Sequence, residues 1–126
     1  MNKKAVDRLI PMAQEVLKEV KIVENSKILN TYRGQVSTFG AAIINGSLIS
    51  AVAFFSNDGN ASVERKKIIE AIRLLIPEAK KYNNLFEYVK KKGKNNEKAV
   101  KEEILNAAIA LKLAMNLFEL EKKVTS

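Results

Sequence analysis

Tyr32, Asp58, Lys66, Glu102 and Glu103 are the side chains best suited to proton transfer or metal binding, while Arg33 and a run of lysines are best suited to holding an anion. A general acid or base needs a second group placed to tune it, and none stands in such a pattern around Tyr32, Asp58 or Lys66. Glu102 and Glu103 are adjacent, so on a helix they point about 100° apart. Metal sites in helical bundles pair such a glutamate with a histidine three residues on. The chain has no histidine and no cysteine. That removes disulfides, thiolate and imidazole zinc sites, the Ser-His-Asp triad and the histidine general base. The stretch "NDGNAS" lacks the lysine and the spacing of a phosphate-binding loop. The expectation is a protein that is not an enzyme and uses no metal or cofactor.

Cations are the larger signal. Lys and Arg number 22 against 14 Asp and Glu, a formal net charge of +8, which favours a polyanionic partner. Residues 79–101 hold eight lysines against Glu87 and Glu97, a local net of +6. Lys90, Lys91, Lys92 and Lys94 fall in "KKKGKNNEK", which reads as a loop or a frayed helix end. Clustered ammonium groups neutralise phosphates and release counterions, although lysines also complement a helix C-terminus or keep a protein in solution. The segment lacks interleaved aromatics and planar arginine forks, so contact with a nucleic-acid backbone is expected and not base reading. Arg33 is one of four arginines and stands between Tyr32 and Gly34, with no charged side chain from Gly34 to Asn57. Its guanidinium can fork onto phosphate oxygens, and the neighbouring glycine lets a partner's backbone come close. The competing use is a helix-end ion pair with Glu15, Glu19 or Glu24.

The elements that position these groups read as helices. Leu29, Tyr32, Val36, Phe39 and Ile43 recur at helical spacing. That helix should end near Asn45, with Gly46 in the left-handed conformation and Ser47 capping the next helix. Because Asn45-Gly46-Ser47 interrupts the apolar run, a membrane span is not expected. Leu48 to Phe55 is apolar on nearly all sides and should be buried, Phe54 included. Gly34 and Gly40 are costly inside a helix, which points to close helix packing. Ala5, Leu9, Ala13, Val16, Val20 and Val23 make an earlier stripe that Pro11 should kink or start. Ser62 is the expected cap of a helix that Pro77 ends, and Leu85 to Lys92 reads as a short helix. The longest helix is expected from about Asn96 to Val124, with Lys98, Lys101, Lys112, Asn116, Glu119 and Lys123 on one side. Leu105, Ala108 and Ile109 interrupt that side and are candidate contact points for stacking. No period-two strand pattern, repeat or sustained heptad seam is found. The fold class is therefore all-α: a compact single domain over residues 1–126, a bundle of five to six helices with a long C-terminal helix. The start "MNKKAVDRLIPMAQEV" has no apolar run like that of a signal peptide, so a cytoplasmic location is expected.

The stretch "TYRGQVSTFGAAIINGSLISAVAFF" resembles the small helical subunit of the type III-B CRISPR (Cmr) effector complex. It carries a Tyr-basic pair at Tyr32-Arg33, an apolar stripe at Val36, Phe39 and Ile43, a break at Asn45-Gly46, and a Leu-x-x-Ala-aliphatic-Ala-Phe run from Leu48 to Phe54. The segment "AIALKLAMNLFELE" is similar to that family's Ala/Leu-rich final helix, with its Leu-Lys step at Leu111-Lys112. Ser47 after the Asn-Gly break, Pro11, and the lack of a tryptophan in the last helix depart from the pattern. The resemblance implies a non-catalytic subunit for antiviral defence, copies of which stack in a minor filament beside other effector-complex subunits and line the channel for guide RNA and target RNA. By that resemblance Arg33 and Lys112 are the leading backbone contacts, with Lys90, Lys91, Lys92 and Lys94 second on composition. Two alternatives stay open: the small subunit of the type III-A complex, and a helical protein-interaction adaptor with no RNA role.

Overall fold

Asn2 opens the first helix by accepting a hydrogen bond from the Ala5 backbone N–H at 3.1 Å. In the computed structural model, which describes residues 1–59 and 63–122, that helix, α1, spans Lys3–Glu19 and continues through Pro11. Pro11 is exposed, so the Asp7 carbonyl it leaves without an intrahelical donor is open to water. The helix buries Val6, Ala13, Val16 and Leu17; of the expected stripe, Ala5, Leu9 and Val20 are only half-buried, and Val23 lies beyond the helix in a strand.

The chain next makes a feature that the sequence reading did not expect. Val23–Glu24 (β1) and Lys27–Leu29 (β2) form an antiparallel hairpin, and Glu119–Glu121 (β3) adds to β2 in parallel, Ile28 opposite Leu120. Asn25 and Ser26 both have positive φ, at 54° and 63°, which is the requirement of a tight type I′ connection.

Helix α2 (Asn30–Asn45) buries Tyr32, Val36, Phe39 and Ile43, the face the spacing indicated. Gly46 ends it, but at φ −129° and outside the left-handed region. Glycine is required there for room: a Cβ would lie 2.9 Å from the Ala42 carbonyl oxygen. Ser47 caps α3 (Leu48–Phe55) by accepting from the Ser50 N–H at 3.0 Å. Burial of α3 is one-sided, contrary to expectation. Leu48, Ala51, Val52 and Phe55 are buried, whereas Phe54 is 64% exposed. Seven of the eight residues are apolar and only Ser50 is polar, so the sequence could not say which half of the helix faces outward. Gly34 and Gly40 also depart from expectation, because a Cβ at either position would meet nothing within 4 Å. They are surface positions and not helix-packing contacts.

Helix α4 (Arg65–Leu75) is started by Asp58, whose Oδ1 accepts from the Lys66 N–H at 3.1 Å. Ser62, the expected cap, lies outside the described residues. Before Pro77, Ile76 adopts an extended conformation, as proline demands of its predecessor, and the helix stops. A short 3₁₀ turn at Ala79–Lys81 leads to α5 (Leu85–Met115), which Asn84 caps.

Helix α5 is the axis of the bundle, and it is bent. Asn96, at φ −138° and ψ 39°, interrupts its helical geometry, and the Tyr88 hydroxyl donates to the Glu103 carboxylate fifteen residues on. A straight helix would hold those residues about 22 Å apart, so the two arms fold back at Asn96. The expected short helix and long helix are these arms, joined by one residue in place of a loop. The second arm buries Ile104, Ala107, Ala110, Leu111, Ala114 and Met115, and α5 as a whole packs against α1, α2, α3 and α4. It ends at Met115, well before the expected Val124, because the chain turns at Asn116 to Phe118 to enter β3. Lys123 and Val124 lie outside the described residues.

Candidate nucleic-acid interface

Helix α2 and the second arm of α5 lie side by side, and this pairing brings Arg33 near Lys112. The Lys112 ammonium donates to the Ser37 hydroxyl, and that hydroxyl donates to the Arg33 carbonyl oxygen at 3.3 Å. Lys112 is therefore held one turn of α2 from Arg33.

The arginines differ in what they are bound to. Arg65 donates from Nη2 and Nε to the Asn57 carbonyl, at 2.7 and 3.2 Å, and lies over the Phe54 ring at 4.5 Å. Arg73 pairs with Glu70 and also reaches the Lys80 and Tyr82 carbonyls, at 3.3 and 3.0 Å. Both guanidinium groups tie loops to helix ends. Arg33 is half-buried, and its Nε is shielded from solvent with no acceptor among the described residues. The ion pair with Glu15, Glu19 or Glu24 does not form among those residues, and Glu15 instead pairs with Lys18 at 3.5 Å. A desolvated donor left without an acceptor costs about 1–3 kcal/mol.

Lys90, Lys91, Lys92 and Lys94 are exposed on the first arm of α5, where the helix expected over Leu85 to Lys92 runs on through the segment read as a loop or frayed helix end. Lys90 pairs with Glu87 at 3.0 Å, and Lys94 borders a groove floored by Leu48, Ile49 and Val89. Lys112 lies roughly 24 Å along the second arm from the corner at Asn96. The fold thus keeps the two candidate groups apart as separate patches.

One cation near Arg33 was not anticipated. Pairing of β3 with β2 returns the chain to α2, where Lys122 borders a polar groove with Asn30, Thr31, Gly34, Gln35 and Thr38. Nothing local in the sequence signals this, because the pattern before Lys122 continues that of a helix.

The acid–base candidates are engaged structurally. Asp58 caps α4 and lies 3.9 Å from the Lys66 ammonium. Glu102 lies 3.9 Å from the chain's amino terminus, and Glu103 accepts from Tyr88. Burial raises the Tyr32 phenol above its usual range, more than the nearby Lys67 charge lowers it. Among the described residues no group of three or more carboxylates gathers to hold a metal ion, and no helix is long and apolar enough to cross a membrane. The candidate stacking residue Ala108 is 4% exposed and belongs to the core, while Leu105 and Ile109 are half-buried.

Fold and surface together define a small, mostly helical, strongly basic module with arginine and lysine displayed on neighbouring helices. The family model for CRISPR-associated protein (Cas_Cmr5) matches residues 11–116. The chain belongs to that family, the small subunit of type III-B systems. Comparison with curated proteins and with solved structures returns no match.

Proposed function

We propose that the chain is a non-catalytic, cytoplasmic subunit of the type III-B effector ribonucleoprotein, stacking with further copies of itself and holding guide and target RNA by their phosphates. The observation that carries this reading is Arg33, whose Nε has no acceptor among the described residues and whose guanidinium stands one turn of α2 from the Lys112 ammonium. A guanidinium and an ammonium on adjacent helices suit successive phosphates of one strand and read no sequence. Lys122 extends the same surface. Exposed apolar residues such as Ile44, at 63%, and Phe54 support stacking between copies.

The test is RNA binding by the assembled complex across a salt series. Unrelated sequences should bind with similar strength, and affinity should fall by roughly 0.7 to 0.9 log units per tenfold salt for each phosphate neutralised. Arg33→Ala should lower that slope by about one contact and leave sequence preference unchanged. The joint replacement of Lys90, Lys91, Lys92 and Lys94 by alanine lowers it further only if the first arm of α5 lies on the RNA path. If folded, assembled variants of both kinds retain parental affinity and slope, the positive charge serves solubility and the adaptor reading replaces this one.

A further inference from the structure

The corner in α5 consists of one residue. Asn96 alone leaves helical geometry, while the chain is helical from Leu85 to Asn95 and again from Glu97 to Met115. Asn95, Asn96, Glu97, Lys98 and Ala99 are all exposed, so no buried packing holds the corner itself. What holds the arms together is distant from it: the Tyr88 to Glu103 hydrogen bond and the apolar surface of the second arm. If Asn96 took helical φ and ψ, the two arms would become one continuous helix about 46 Å long. The second arm and β3 would then leave their own bundle.

We infer that Asn96 is a hinge at which the chain exchanges the segment from Glu97 onward with a second copy of itself. The partner follows from the surfaces involved. The departing arm buries Ile104, Ala107, Ala110, Leu111, Ala114 and Met115, and the cleft it vacates is lined by the side chains that already fit it. An identical chain supplies the same cleft, so the exchanged dimer re-forms every interface of the monomer, including β3 on β2 and Lys112 on Ser37. It differs only at the two hinges, where each chain gains helical hydrogen bonds. A connection without slack between two packed helices is the arrangement in which such exchange is cheapest. This inference is independent of RNA binding, and neither stands or falls with the other.

The chain has no cysteine, which allows a direct test. One copy carries Ser37→Cys and another Lys112→Cys; the two are unfolded, mixed, refolded at high concentration and treated with a short bismaleimide. Exchange places the two thiols of different chains side by side and gives a covalent dimer of twice the chain mass. Asn96→Ala should raise the dimer association constant about tenfold, since two hinges each gain helix propensity. A Gly-Gly insertion after Asn96 should return the protein to monomer with its helical signal intact. If Asn96→Ala fails to fold, the parent chain with the two thiol substitutions still decides the matter. Refolded material that is only monomeric, or a dimer that forms no cross-link between chains, overturns the inference.

Discussion

Phe54 and Phe55 are neighbours in sequence with opposite fates, and replacing each by alanine separates burial from composition. Phe55 is 1% exposed; its ring meets Phe39 edge-on at 5.2 Å and Phe54 at 5.7 Å, and Arg65 lies 5.1 Å from its centre. Emptying a buried phenylalanine site costs about 3–5 kcal/mol, and aromatic pairs contribute about 0.5–1.5 kcal/mol beyond burial. Phe55→Ala therefore belongs at the upper end, about 4–5 kcal/mol. Phe54→Ala removes a mostly exposed ring and one arginine stack, which at an exposed site is worth roughly 0.5–1 kcal/mol. With a urea slope of about 2 kcal/mol/M for a domain of this size, the midpoint should fall by about 2 M for Phe55→Ala and about 0.5 M for Phe54→Ala. Circular dichroism at the helical band over a urea series measures both. Equal shifts, or a larger one for Phe54→Ala, would refute the one-sided burial of α3.

Tyr88→Phe should cost about 1.5–2 kcal/mol at neutral pH, the lower part of the range for a hydrogen bond to a charged group, since the half-exposed Glu103 regains water. Burial and the Glu103 carboxylate raise the Tyr88 phenol above its ordinary value. The folded state thus keeps this proton while the unfolded chain releases it near pH 10, and parental stability should fall as pH rises above 10. Urea midpoints at pH 9 to 11 should fall less steeply for Tyr88→Phe; identical slopes would remove Tyr88 as a source. The purified chain should leave labelled RNA intact with Mg²⁺ or Mn²⁺, and cleavage that persists through further purification and disappears on replacing a carboxylate would end the non-catalytic reading.

Legibility in the sequence followed the physics of each element. The buried face of α2 could be read because Tyr32, Val36, Phe39 and Ile43 alternate with small and polar residues at helical spacing. The outward turn of Phe54 could not, because α3 has no polar residue to mark a face beyond Ser50. The sheet escaped notice because its strands have two or three residues, too few for a period, and β3 finds its partner some ninety residues upstream. A break near "KKKGKNNEK" was legible from its glycine, asparagines and charge, yet its confinement to Asn96 depends on how Tyr88 meets Glu103. Arg33 stood out by isolation in the charge pattern. That its Nε has no acceptor among the described residues, while Arg65 and Arg73 are bound to carbonyls, is a property of tertiary packing alone.

The packing of α1 has a consequence for synthesis. Its most extensive neighbour is α5, and β2 waits for β3 in the same way. At about 5–20 residues per second on the ribosome, Val6, Ala13, Val16 and Leu17 emerge roughly 5–20 s before the surface that covers them. Until α5 has been made, much of that apolar stripe stays uncovered and flanked by lysines, a form suited to capture by a chaperone, and the bundle can close only once α5 has joined α1 and α4.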